Sequence, residues 1–395
     1  MPYDFDRIIE RSGTNAAKWD RYPADVLPLW VADMDFAAPA PVLAALRARV
    51  EHGIFGYEFE SKELKETVAQ RMEKLYGWQI SAEEVVITPG VISGFNAAAR
   101  ATCKPDEGIV IQPPVYPPFL SIDKNTGPVQ QLAPLTQVNS AHTVHYEIDW
   151  KLFKTAFDSG GKKTGMFLLC QPHNPSGQIY KKAELKRMAE VCLEKDVIIC
   201  SDEIHSELVL GGARHVPMAA IDPDIAGRTI TLIAPSKTFN VAGLYCAFAI
   251  IPDAALREKY KKAVESMTLH VSSLGLTAAQ AAFSGKCDDW LDELCKYLTA
   301  NRNFLVEYVR TELPGIRTTL PDATYLAWLD CNDLLTGGGI NTPLYQFFLK
   351  KAKVALSNGK DFGPGGEGFV RLNFGCPRIL LVEGLERMKA ALKRD

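Results

Sequence analysis

The chain has 395 residues, 47% hydrophobic and 23% charged, with a net charge of −3; this supports a sizeable core and more than one domain, and leaves no basic surface for a nucleic acid. No apolar run approaches the ~18 residues that span a bilayer, and the N-terminal MPYDFDRIIERSG is acidic where a secretory signal needs a basic start. Nine cysteines without a Cys-x-x-Cys pair point to a reduced, cytoplasmic protein with neither a disulfide framework nor a zinc site.

In chain order, Pro41–Val50 reads as a helix opened by proline, with Val42, Leu46 and Val50 on one face. From residue 80 to 255, short continuous apolar runs alternate with helical periodicity: VVIT (85–88), IVIQ (109–112), MFLLC (166–170), VIIC (197–200), ITLI (230–233) and CAFAII (246–251). Runs without alternation suit strands buried on both faces. Between two of them, Ala183–Lys195 sets Leu185, Met188 and Cys192 at helical spacing. The expected fold class is α/β, a mostly parallel central sheet with helices on both faces, plus a smaller α+β domain.

A long helical segment follows from about residue 285 to 310, and then the texture changes. TTLPDATYLAWLDC (318–331) reads as an exposed strand pair with a turn, GKDFGPGGEGFVRLNFG (359–375) as a loop feeding a strand, and Gly337–Gly339 as a loop tip. The expected division is a large domain over 46–284 and a small one built from 1–45 and 285–395. There is no internal repeat.

In open parallel sheets ligands bind at the carboxyl ends of the strands. After VVIT comes Pro89-Gly-Val-Ile-Ser-Gly94 and a helical pattern; after IVIQ comes PPVYPPF with Tyr116; after MFLLC comes QPHNPSG with Asn174; after VIIC comes SDEIH with Asp202 and His205; after ITLI comes APSKT with Ser236 and Lys237. Singly, each has an ordinary reading: a tight turn, a proline-rich loop, an Asx-type turn, an N-cap, a surface lysine. Together they describe a pocket. A helix N-terminus binds a phosphate. A lysine amine makes a Schiff base with an aldehyde, a carboxylate holds a pyridine nitrogen protonated, and an aromatic side chain stacks on a flat ring. The ligand that needs all four is pyridoxal 5′-phosphate.

LPLWVADMDFAAP (27–39), FGYE (55–58), PPVYPPF, NPSGQ, SDEIHSELV and APSKTFNVAGL resemble the fold-type I pyridoxal-phosphate enzymes of the aspartate aminotransferase superfamily, and within it the cystathionine β-lyases of the MalY/PatB type. The resemblance runs from about residue 27 to Arg378. It implies Lys237 as the Schiff-base lysine, Asp202 on the pyridine nitrogen, Asn174 on the ring oxygen, Tyr116 stacked on the ring, and Val91 and Ile92 N–H with the Ser236 hydroxyl on the phosphate. His205 stands where aminotransferases often carry a tyrosine beside the ring oxygen. Arg371 would grip the substrate α-carboxylate. Tyr57 would reach the phosphate of a neighbouring subunit, which implies a homodimer with composite sites.

Two further departures bear on the phosphate. Many aminotransferases have an arginine eight residues after the lysine, where this chain has Tyr245, and a hydroxyl residue three before it, where this chain has Ala234. The resemblance implies β-elimination from a sulfur-bearing L-amino acid such as cystathionine, giving a thiol, pyruvate and ammonia. An aminotransferase would use the same residues, and a non-catalytic binding protein would have no use for Lys237, Asp202 and Arg371 together. No second arginine stands in a motif that would grip a side-chain carboxylate.

Overall fold

The computed structural model describes residues 3–59, 61–268, 270–336, 340 and 342–393. The glycines expected to form a loop tip, Gly337–Gly339, lie outside the described residues. Seven strands form the main sheet: β1 (Val85–Thr88), β2 (Gly108–Ile111), β3 (Val129–Leu132), β4 (Thr164–Cys170), β5 (Ile198–Asp202), β6 (Thr229–Ile233) and β7 (Ala247–Ile250), in the spatial order β1-β7-β6-β5-β4-β2-β3. β7 runs antiparallel to both its neighbours and the remaining pairs are parallel. The sheet is therefore mostly parallel, as the continuous apolar runs imply. Those runs carry no sign of direction, so the reversal of β7 has no signal in them. β3, reading VQQL, is a half-exposed edge strand, and its polar sequence hides it from an apolar-run criterion.

The helices lie on both faces of this sheet. α1 (Ala40–His52), α2 (Lys62–Tyr76), α3 (Val91–Thr102), α4 (Lys182–Glu194), α5 (Ala254–Ser266) and α6 (Ser273–Phe283) precede a 25-residue helix, α7 (Asp288–Glu312), and the chain closes with α8 (Arg378–Leu392). Leu185, Met188 and Cys192 on α4 pack with Phe167, Leu169 and Ile199 on one face. On the other, Phe95 and Ala97–Ala99 of α3 and Tyr260 of α5 pack with Ile230 and Leu232. Gly94 is what lets α3 lie so close: a Cβ there would sit 3.0 Å from Leu232 Cδ2 and 3.2 Å from the Tyr260 hydroxyl.

A smaller, four-stranded sheet lies C-terminal to these elements. Its two long strands, β8 (Leu326–Asp330) and β9 (Phe369–Asn373), are antiparallel and are flanked by the two-residue strands Arg317–Thr318 and Ser357–Asn358. The strand pair expected over 318–331 forms, with Thr318 opposite Leu329 in an antiparallel pair, but it is not exposed: every residue of β8 is buried. Trp328 stacks on Phe369 at 4.8 Å and donates its indole N–H to the Tyr146 hydroxyl, so the large aromatic residue is covered by the neighbouring strand β9 and by the strand Val144–Glu147. The N-terminal arm joins this region, since Leu27–Pro28 pairs in parallel with Val354–Ala355.

Candidate active site

A cavity of about 450 Å³ opens at the carboxyl ends of β2, β4, β5 and β6. β6 is fully buried as far as Ile233, and Pro235 then opens the single helical turn Pro235–Thr238. Proline suits that first position because it has no N–H to leave unpaired. The turn places Ser236 and Lys237 in the cavity wall. Lys237 Nζ donates to the Ala32 carbonyl at 2.6 Å. Burial, followed by the charge of Arg371, pulls its pKa down to about 8, against the opposing pull of Asp33 and Asp202.

Asp202 ends β5 and is 4% exposed. Its Oδ1 accepts from the Ile204 N–H at 3.1 Å, and among the described residues no protein group donates to Oδ2. Burial pushes its pKa up to about 7. Three residues on, His205 also lines the cavity, edge-on to Tyr325 with ring centroids 6.1 Å apart. Burial, and then the charges of Lys237 and Arg371, push its pKa down to about 3, so the imidazole is neutral. Tyr116, after β2, lines the wall beside Asn174, which comes from the turn after β4.

At the far end α3 begins. Its N-cap, Gly90, has φ 152°, an angle that excludes ordinary side chains. The first N–H groups of the helix, on Val91, Ile92 and Ser93, have no intrahelical acceptor and point out of its positive end; all three residues line the cavity.

Arg371 on β9 does not line the cavity itself. It stands one hydrogen bond behind the wall, donating from Nη1 to Asn174 Oδ1 at 2.9 Å and from Nη2 to the Trp30 carbonyl at 3.2 Å and the Ser357 hydroxyl at 3.3 Å. It is 5% exposed, its Cζ lies 5.0 Å from the Phe362 ring, and among the described residues no carboxylate pairs with it. Burial lowers its pKa to about 10. Tyr57 lies away from its own cavity, fully exposed on a segment with Ile54, Phe55 and Phe59.

The segment Trp30–Phe36 crosses the site and carries no residue to which the sequence motifs assign a role. Its backbone oxygens are the acceptors. Ala32 O takes both Lys237 Nζ and the Tyr325 hydroxyl, Val31 O and Asp33 O take Asn373 Nδ2, and Met34 O and Phe36 O take Asn240 Nδ2. Asp33 also lines the cavity, its carboxylate held by Arg11 at 2.5 Å. Lys18 lines it too, but its amine is committed to Asp35 at 2.7 Å and to the Asp33 carbonyl.

The donor set fits pyridoxal 5′-phosphate on three counts that the protein alone presents. A buried carboxylate with a raised pKa and an unpaired oxygen suits a pyridinium N–H. A helix N-terminus with free N–H groups suits a phosphate. An amine of lowered pKa, Lys237, lines the same cavity and suits an aldehyde.

Three comparisons agree with this chemistry. The sequence profile of the family described as "Aminotransferase class I and II" matches residues 24–388. Cystathionine beta-lyase PatB of Bacillus subtilis is 40% identical over 396 residues, covering 98% of this chain and all of the relative. Among solved structures, the pyridoxal-phosphate-containing cystalysin of Treponema denticola superposes with a TM-score of 0.93 at 32% identity over the full length of both chains. The pyridoxal-phosphate-bound C–S lyase of Staphylococcus hominis does so at 0.91 and 32%, over 99% of this chain and 98% of that one. The chain belongs to the class I and II aminotransferase family and is a pyridoxal-phosphate-dependent enzyme of it.

Proposed function

We propose that the enzyme is a C–S β-lyase that eliminates a thiol from L-cystathionine or a related cysteine S-conjugate, leaving pyruvate and ammonia. The reading is carried by full-length similarity to β-lyases; among the described residues the cavity lining adds no arginine to the Arg371 that stands behind it, and its second lysine, Lys18, is already bonded to Asp35. An aspartate-type transaminase needs a cation for a second carboxylate. A thioether side chain does not.

When bound, pyridoxal phosphate supplies an electrophilic carbon for the substrate amine and a ring that takes up the electron pair released at Cα. Lys237 is the covalent anchor and, once free, the base that removes the Cα proton; a pKa near 8 places it close to the working pH of a general base. Asp202 holds the ring nitrogen protonated. Asn174 and the neutral His205 face the ring oxygen, and Tyr116 stacks on the ring. Val91 and Ile92 N–H and the Ser236 hydroxyl take the phosphate. Arg371, oriented by Asn174, fixes the α-carboxylate, which holds the Cα–H bond towards Lys237. The thiolate leaves from Cβ, and water completes the release of pyruvate and ammonia.

Tyr57 completes the phosphate site of a second copy, so the working unit is a homodimer; its full exposure away from its own cavity supports this. We read residues 46–284 as the cofactor-binding domain, with 1–45 and 285–395 as the smaller one. The nine free cysteines support a reducing, cytoplasmic setting, and among the described residues no helix is long and apolar enough to cross a membrane. The test is an assay of pyruvate and thiol release from cystathionine, with a keto acid supplied in parallel. Amino transfer to the keto acid without thiol release would assign the enzyme to the aminotransferases.

A further inference from the structure

Arg71 on α2 lies outside the cavity, yet its side chain reaches two of the segments that build it. It is 2% exposed. Nε donates to Glu207 Oε1 at 2.8 Å, Nη2 donates to Glu207 Oε2, and Nη1 donates to Asp288 Oδ1 at 2.9 Å at the start of α7. Its Cζ lies 5.5 Å from the Phe239 ring and 5.2 Å from the Phe283 ring. Glu207 is two residues beyond His205 and five beyond Asp202, and Phe239 is two residues beyond Lys237. The guanidinium is thus bonded in a bidentate fork to the segment that carries the carboxylate and the imidazole, and packed on the turn that carries the lysine.

Burying a guanidinium is expensive, and a buried ion pair is often no more stabilising than an apolar packing of the same volume. Here burial works against the charge, and Glu207 and Asp288 more than restore it, so Arg71 stays protonated. What the fork supplies beyond stability is direction: two parallel N–H···O bonds fix a carboxylate in angle as well as distance. We propose that Arg71 is a positioning residue that, through Glu207 and Phe239, sets the Asp202–His205 segment in register with the Lys237 turn. The proposal rests on reading Lys237 and Asp202 as the cofactor's partners.

The experiment compares Glu207→Gln and Arg71→Lys, both of which keep the volume, with Leu305→Ala, a core truncation on α7 remote from this cluster. For each variant, the melting temperature of the apoprotein and the dissociation constant for pyridoxal phosphate, titrated by protein fluorescence, are measured. The pH midpoint of the holoenzyme's visible band is recorded as well. The expected result is that both Arg71–Glu207 variants weaken cofactor binding about tenfold or more and move the band's midpoint, while Leu305→Ala lowers the melting temperature but changes neither. If the Arg71–Glu207 variants leave both readouts at wild-type values, or if Leu305→Ala shifts them equally, the positioning role is overturned. Failure of the underlying reading looks different, because wild-type protein would then carry its cofactor on a residue other than Lys237.

Discussion

Arg371 and Asn174 meet in a 2.9 Å hydrogen bond from Nη1 to Oδ1, so the cation behind the cavity wall and the amide in it are oriented as one unit. The amide oxygen being taken, Asn174 turns its NH₂ group elsewhere, and Arg371 keeps Nε without a partner. Arg371→Lys keeps a charge but loses the planar fork. The expected loss is about 1.5–3 kcal/mol, the range for hydrogen bonds to charged groups, seen as a similar rise in KM for cystathionine, cysteine and other cysteine conjugates. A rise confined to one substrate would show that Arg371 reads the leaving group instead.

Lys237→Ala should remain folded, since the side chain faces the cavity and not the core, but turnover should fall about a thousandfold or more with the loss of both anchor and base. Borohydride reduction of wild-type holoenzyme followed by peptide mapping should find the cofactor attached to Lys237. Attachment at any other lysine would displace the whole assignment.

Two buried charges give the cofactor-free protein a pH signature. Asp202 is raised to about 7 in the folded chain, so its contribution to stability is fully present below about pH 4 and is lost as pH rises through 7. Lys237 is lowered to about 8, so its contribution is present above about pH 10.5 and is lost as pH falls through 8. The two together leave the apoprotein least favoured between about pH 7 and 8. Asp202→Asn removes the acidic arm: melting curves of variant and wild-type apoprotein should nearly coincide at pH 4 and separate by pH 8, the variant melting higher. By linkage the separation is of order 4 kcal/mol at most. Parallel curves would mean that Asp202 is not buried as a charge.

If Tyr57 serves the partner's site, two inactive variants should repair each other. In a hybrid of Lys237→Ala and Tyr57→Ala subunits, one site lacks both groups and the other has both. Mixing the two homodimers under exchange conditions should restore activity to up to about half of one wild-type dimer's rate per hybrid. No recovery, with exchange verified by mass, would place Tyr57 outside the phosphate site.

Much of this site is legible in the sequence because a parallel sheet converts chain order into spatial proximity. Tyr116, Asn174, Asp202 and Lys237 are far apart in number, yet each follows an apolar run, and the runs end side by side. The helix entered at Val91 is legible for the same reason. What the residues hide is contact made through the backbone. Ala32 holds Lys237 by its carbonyl, and an alanine advertises nothing; the only signal is its place in the WVADMDF stretch. Trp328 misleads for another reason: alternation and a nearby turn suggest an exposed strand pair, but a sheet covered on both faces buries all of β8. Arg71 is invisible because its partners, Glu207 and Asp288, are 136 and 217 positions away.

The reliance of Trp30–Phe36 on carbonyl oxygens has a practical side. Val31 and Ala32 both line the cavity, while the hydrogen bonds to Asn373, Tyr325 and Lys237 are made by their main chains. Randomising these two codons would therefore vary the lining of the cavity and leave the anchoring bonds intact, which makes them the first positions to alter in redirecting the enzyme to bulkier or smaller leaving groups.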